Sequence, residues 1–157
     1  MECAWISEDE SALIERKSIW VGGPEYGLLS SLDFHRMMQR GHNALVLDIR
    51  TNIDFTNQNR EQPFRNRGHI KGAVNIPGNE LKTRIAELKK YKKKEIIVYA
   101  FSGNPEAFSA AETLINNGFK KVKVLTGGMF DLRWRGANIF GMKEMMNWVV
   151  DVPAENY

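Results

Sequence analysis

Cysteine is almost absent from this chain. Cys3 is the only one among 157 residues, which excludes an intrachain disulfide and any metal site built from clustered cysteines. Long apolar runs are also missing, and none approaches the roughly 20 residues that a membrane-spanning helix requires. The N-terminus, Met1 to Trp5, lacks the basic and apolar regions of a signal peptide. We therefore expect a cytoplasmic protein with no membrane span, unless a leader before Cys3 has been removed.

Neither sign of charge dominates the composition. The formal net charge is +3, which gives only a weak attraction to nucleic acid or to an anionic membrane. Apolar residues make up 43% of the chain and charged residues 26%, as in ordinary globular domains. A chain of this length suits a single domain with one sizeable core.

The clearest pattern in the chain is a strand, a short loop and a helix. The β-branched run Glu95–Tyr99 predicts a buried strand, and Ser102–Gly103 predicts a turn. Asn104 is the expected N-cap of the helix, with Pro105 at its first position. Apolar residues then recur at helical spacing before a glycine stop: Ala107, Ala110, Ala111, Leu114 and Gly118. A loop at the carboxyl end of a parallel strand is a common place for anion chemistry.

Other elements are predicted on both sides of this unit. Ser31 is the expected cap of a helix that Gly41 ends, and Ala44–Ile49 is the expected next strand. Leu81 and Leu88 lie on one face of a helix. The remaining predictions are a helix from Ser7 to about Arg16, a strand at Ile19–Val21, the end of the Leu81 helix near Tyr91, a strand at Lys121–Leu125, a helix after Gly127–Gly128, a helix at Met142–Trp148 and a tail from Val149.

Four segments of the sequence resemble the rhodanese-like (sulfurtransferase) domain family. They are a strand ending in Asp48-Ile49-Arg50, the segment from Gly68-His69-Ile70 to Pro77, the Val98-Tyr99 strand before the loop, and a last strand that runs into Gly127-Gly128. The resemblance covers about residues 30 to 140 in the family's order. It implies a single α/β domain whose central sheet is mostly parallel, with about five strands and helices on both faces. Residues 1–29 are then an N-terminal extension, 30–141 the rhodanese-like domain, and 142–157 a C-terminal helix and tail packed on it.

The loop after Tyr99 departs from the family at the positions that carry its chemistry. The resemblance places the family's catalytic cysteine on Ala100, its arginine on Pro105 and the next serine on Glu106. Active members carry the transferred sulfur as a persulfide on that cysteine, and an alanine methyl cannot hold it. We therefore expect a pseudo-active loop without catalytic residues, formed by Ala100, Phe101, Ser102, Gly103, Asn104, Pro105 and Glu106.

Asp48, Arg50 and His69 are candidates for side chains that support this loop. The functional interpretation places Asp48 and Arg50 in a polar layer beneath the loop, whereas the structural one makes them an ion pair at a strand end. Since the nucleophile is missing, we favour the structural interpretation. His69 has a structural place in the family pattern, and no further metal ligands are assembled near it, so we expect no metal and no cofactor.

The polar segment Thr51–Arg67 is an extended loop relative to the family pattern. Loops of this kind are either functional or merely solvated. Arginine forks match acidic or phosphorylated groups, so the loop and the pseudo-active loop supply a candidate partner surface, consisting of Phe64, Arg65, Arg67 and Phe101. The alternative is a solvated loop without a partner.

The run Lys89–Lys94 places five lysines around one tyrosine. Such a run can bind nucleic acid or another anion, but lysines also favour helix C-termini through the helix dipole. We therefore predict a non-catalytic domain that recognises an unidentified protein partner, with no nucleic acid or small-molecule substrate. Two alternatives stay open: a sulfurtransferase that uses Cys3 or a partner's thiol, and weak nucleic-acid or anion binding through Lys89–Lys94.

Overall fold

Five parallel strands form the central sheet of the computed structural model, which describes residues 25–58, 61, 67–103 and 105–150. The strands are β1 (Gly27–Leu29), β2 (Leu45–Asp48), β4 (Val74–Asn75), β5 (Ile96–Tyr99) and β6 (Val122–Leu125). Their order across the sheet is β1-β6-β5-β2-β4. The predicted α/β fold with a mostly parallel sheet of about five strands is confirmed. The helix predicted from Ser7, the strand at Ile19–Val21 and Cys3 lie outside the described residues.

Helices cover both faces of this sheet. The α-helices are α1 (Ser31–Arg40), α2 (Asn52–Phe55), α3 (Leu81–Arg84), α4 (Pro105–Asn116) and α5 (Gly128–Asn138), and Ile85–Tyr91 and Lys143–Trp148 are 3₁₀ helices. Alternate residues of the strands belong to two separate hydrophobic clusters, one on each face of the sheet. Ile96 and Val98 pack with α4 on one face, whereas Ile97 and Tyr99 pack with α1 and α5 on the other. Burial on both faces explains the continuous apolar run in β5.

Two helices differ from the sequence predictions. The cap of α1 is Ser30, whose Oγ accepts from the Asp33 amide at 3.1 Å. Ser31 was therefore the wrong cap: it is the first helical residue, and its hydroxyl donates to Asp131 at 2.6 Å. Adjacent serines carry the same local signal, and only the contact with Asp131 distinguishes them. The single helix predicted from Leu81 is one α-helical turn followed by the 3₁₀ helix.

A second, two-stranded sheet joins distant parts of the chain. Strand β3 (His69–Ile70) pairs antiparallel with β7 (Val149–Val150), and His69 lies opposite Val150. The prediction that the tail begins at Val149 was wrong for these two residues, because their pairing depends on a segment about 80 residues earlier. Within the described part of the chain, no helix is long and apolar enough to cross a membrane.

Candidate functional site

The pseudo-active loop lies at the carboxyl end of β5, between this strand and α4. Ala100 is only 4% exposed, so the position that the family resemblance assigns to the catalytic cysteine lies beneath the surface. Phe101 and Ser102 are half-buried, and Gly103, Pro105 and Glu106 are exposed. Asn104, the predicted N-cap, lies outside the described residues. The described part of the loop therefore has the strand–loop–helix arrangement that the sequence predicts.

The start of α5 is bonded to the carbonyl groups of this loop. The Met129 amide donates to the Ala100 carbonyl at 3.1 Å, and the Phe130 amide donates to the Phe101 carbonyl at 2.7 Å. Gly128 adopts a φ of +56°, and a Cβ there would lie 2.5 Å from the Ala100 carbonyl oxygen. A glycine is thus required both by the backbone conformation and by the close approach. Two amides at the start of α5 are consequently used by the loop and not by a ligand.

Phe101 packs against an aromatic residue at the start of α5. Its ring meets the Phe130 ring edge-on, with the centroids 5.7 Å apart and the planes at 81°. Phe130 is 37% exposed, and Trp134, one helical turn further on, is 36% exposed. The Phe101 side chain therefore belongs to an aromatic strip that reaches the protein surface beside the loop.

Asp48 and Arg50 form a buried ion pair next to the loop. The Arg50 Nε lies 3.0 Å from Asp48 Oδ1 and 3.1 Å from Oδ2. The side chain of Asp48 is 0% exposed and that of Arg50 is 4% exposed. Burial opposes the charged form of Arg50, but the hydrogen bond and the charge of Asp48 outweigh it and raise the Arg50 pKa. A second Arg50 nitrogen, Nη2, donates to the Gly68 carbonyl at 2.8 Å. The pair thus connects the end of β2 to the segment before β3.

Tyr99 belongs to the same polar group, although the sequence analysis did not select it. Its hydroxyl accepts from the Ile70 amide at 3.0 Å, and the Arg50 guanidinium lies 5.6 Å from the centre of its ring. Burial, followed by the charge of Asp48, raises the Tyr99 pKa well above its usual value. The available signal was a phenol at the end of a fully apolar strand, because a buried hydroxyl requires a partner.

His69 contacts both the backbone and the ring of Phe55. Its Nδ1 lies 3.1 Å from the Phe55 carbonyl oxygen, an acceptor that requires the proton on Nδ1. The imidazole ring of His69 also stacks on the ring of Phe55, with the centroids 4.1 Å apart. In the described residues, no group of three or more His, Cys, Asp or Glu side chains is arranged to hold a metal ion.

Only two of the four residues of the candidate partner surface are described. Phe64 and Arg65 lie outside the described residues. Arg67 is half-buried, and its carbonyl accepts from Nη1 of the buried Arg133 at 2.8 Å. Since Arg133 is in α5, this helix contacts the backbone at both Arg67 and Phe101. The sequence analysis missed Arg133, because nothing in the local sequence distinguishes it from Arg135 in the same helix.

A groove of about 600 Å³ lies beside the first turns of α4. Pro105 and Glu106, two of the three positions at which the sequence resemblance predicts a departure from the family motif, line it, whereas Ala100 does not. The other lining residues are Ile49, Thr51, Pro77, Gly78, Asn79, Lys82, Ser109, Ala110 and Thr113. The altered residues therefore shape an accessible groove next to the loop.

The sequence profile described as the rhodanese-like domain matches residues 30–133, so this chain belongs to the rhodanese-like domain family. Among relatives, it is 34% identical over 98 residues to the uncharacterized protein YibN of Escherichia coli K12, covering 62% of this chain and 59% of that protein. It is 27% identical over 137 residues to the tRNA uridine(34) hydroxylase of Buchnera aphidicola, covering 78% of this chain and 40% of the hydroxylase.

The fold is also that of solved members of the family. The BH2092 protein from Bacillus halodurans superposes with a TM-score of 0.56 at 27% identity, covering 72% of this chain and 73% of that structure. The chain spans less than two thirds of the length of these curated relatives, namely 59% of YibN and 40% of the hydroxylase.

Proposed function

We propose that this chain is a non-catalytic rhodanese-like domain that acts in the cytoplasm as a protein-recognition or regulatory module. One observation supports the proposal most: Ala100, to which the sequence resemblance assigns the position of the family's sulfur-carrying cysteine, is buried at the carboxyl end of β5. A thiolate is the nucleophile that persulfide chemistry requires. Cys3, the only thiol in the chain, belongs to the N-terminal segment and not to this loop.

The rest of the loop also disfavours an anionic substrate. Pro105 has no amide proton to donate, and the Glu106 carboxylate lies in the first turn of α4, where the helix dipole stabilises it. This carboxylate repels thiosulfate or phosphate. The amides of Met129 and Phe130 are already bonded to the loop carbonyls. These features support loss of the anion site together with loss of the nucleophile.

The catalytic half of the proposal is tested by thiocyanate release from thiosulfate and cyanide, a reaction that leaves sulfite. We expect no release above the uncatalysed rate from the wild type or from Cys3→Ala. The variant Ala100→Cys restores the thiol alone, and Ala100→Cys with Pro105→Arg and Glu106→Ser restores the family motif. We expect release from the triple variant to exceed that from Ala100→Cys. Release by the wild type would contradict the proposal, and its disappearance in Cys3→Ala would establish the alternative sulfurtransferase.

The recognition half is tested on the candidate partner surface. Proteins retained from a lysate of the source organism are compared between the wild type, Phe101→Ala and Arg67→Ala. The matched control is Phe140→Ala, because Phe140 is a fully exposed phenylalanine that is not part of this surface. We expect a partner that Phe101→Ala and Arg67→Ala no longer retain and that Phe140→Ala retains. A partner that all variants retain equally would show that the surface is wrong.

A further inference from the structure

Two lysine-rich segments meet where β5 and β6 begin. One precedes β5 and the other precedes β6, and the Ile96 amide donates to the Lys121 carbonyl at 2.8 Å. Lys92 also reaches across, with its Nζ 5.7 Å from the centre of the Phe119 ring. The two segments therefore form one surface, here called the lysine edge, which consists of Lys89, Lys90, Lys92, Lys93, Lys94, Lys120 and Lys121.

The positive charge of the lysine edge is not neutralised within the described residues. None of its seven lysines forms a salt bridge there, whereas the nearby Glu95 pairs with Lys123 at 3.0 Å. Without these seven, 15 basic residues would face 19 acidic ones in the whole chain. Seven of the 22 basic residues of the chain are thus concentrated at this edge.

Aromatic rings and an amide hold three of these lysines in place. The Lys90 and Lys94 Nζ atoms lie 5.0 Å and 5.9 Å from the centre of the Tyr91 ring, and Lys94 Nζ donates to Asn43 Oδ1 at 2.7 Å. Tyr91 is itself half-buried against the core. Its ring therefore positions cations and is not presented for stacking on a base.

We infer that the lysine edge binds the phosphate backbone of nucleic acid without reading its sequence. Lysine ammonium groups neutralise phosphates, and no exposed aromatic ring accompanies them for base readout. A membrane surface is less suited, since none of the exposed large apolar side chains of the described residues lies in either segment. A protein partner is also less suited, because lysine is depleted in protein–protein interfaces.

The lysine edge lies at the opposite end of the sheet from the pseudo-active loop. All strand pairs of the central sheet are parallel, so the starts of β5 and β6 share one edge and Ala100 lies at the other. Binding at the lysine edge is consequently independent of the chemistry at Ala100, and its failure would leave the proposed function unaffected.

The experiment measures the dissociation constant of a fluorescent 20-base-pair RNA duplex at 25 to 200 mM NaCl. We expect binding that weakens steeply with salt, since each phosphate that a lysine neutralises releases condensed counterions. The edge variant carries Lys93→Gln, Lys120→Gln and Lys121→Gln, three lysines whose side chains are exposed. We expect it to bind at least tenfold more weakly at low salt, with a slope smaller in magnitude by about 3.

The control variant, Arg36→Gln, Lys71→Gln and Lys143→Gln, makes the same change in net charge at exposed positions elsewhere. We expect it to bind RNA as the wild type does, and thermal unfolding checks that both variants are folded. Equal weakening in both variants would overturn the inference, because it would indicate diffuse attraction to total charge. A dissociation constant above 1 mM for the wild type would also overturn it. So would tighter binding of the wild type to anionic phospholipid vesicles or to polyglutamate than to RNA at equal charge concentration.

Discussion

Replacing Asp48 by asparagine is expected to destabilise the protein strongly. The substitution keeps the shape of the side chain but removes the negative charge that faces Arg50, whose side chain is only 4% exposed. Loss of one partner from a buried ion pair costs about 3 to 5 kcal/mol, because the other charge stays buried without compensation. Asparagine can still accept one hydrogen bond, and Arg50 keeps its bond to the Gly68 carbonyl. We therefore expect a cost near the lower limit, about 3 kcal/mol.

Urea denaturation followed by circular dichroism measures this cost, because a fall in the midpoint at constant slope reports a change in stability. The control is Glu87→Gln, which breaks an exposed contact with Arg84 of 2.7 Å and is expected to leave the midpoint unchanged within error. The double variant Asp48→Leu and Arg50→Met should be more stable than Asp48→Asn, since it leaves no buried charge. A loss below about 1 kcal/mol for Asp48→Asn would refute the reasoning, because the pair would then behave as an exposed one.

Two further predictions concern the same region. The free energy of unfolding should fall as pH rises above 10, because the raised pKa of Tyr99 means that the unfolded chain loses this proton before the folded one does. Tyr99→Phe should flatten this pH dependence, and it should cost about 1 kcal/mol at pH 7 because it leaves the Ile70 amide unpaired. Urea denaturation at pH 7 to 11 measures both effects. Gly128→Ala should destabilise more than Gly72→Ala in the same assay. Both glycines have a positive φ, but a Cβ at Gly128 meets the Ala100 carbonyl at 2.5 Å, whereas nothing lies within 4 Å of one at Gly72. Equal losses for the two glycines would contradict the predicted clash.

The parts of the fold that are encoded locally were predictable. The β-branched run before Tyr99 indicates a strand buried on both faces, and the spacing of Ala107, Ala110 and Leu114 indicates the buried side of α4, which the structure confirms. Asp48 and Arg50 were expected to pair at a strand end, and they form a buried ion pair there. In each case the deciding residues lie within a few positions of one another.

The parts that depend on distant contacts were not predictable. The pairing of β3 with β7 joins Ile70 to Val149, and neither two-residue segment has a pattern of its own. The lysine edge depends on Lys121 being bonded beside Ile96, so the sequence presents it as two unrelated runs. Tyr99 and Arg133 acquire their roles only because β3 and the segment before it supply the backbone groups that they contact, the Ile70 amide and the Arg67 carbonyl.

The pseudo-active loop keeps its position without any contribution from a thiol. Its carbonyl groups are held by amides of α5, its approach to that helix is permitted by Gly128, and the polar group below it consists of Asp48, Arg50 and Tyr99. None of these interactions involves the side chain at position 100. The position of the loop and the sulfur chemistry that the family resemblance implies therefore depend on different atoms. Under the proposed function, the surface beside the loop, including Phe101, stays available for recognition although position 100 carries no thiol.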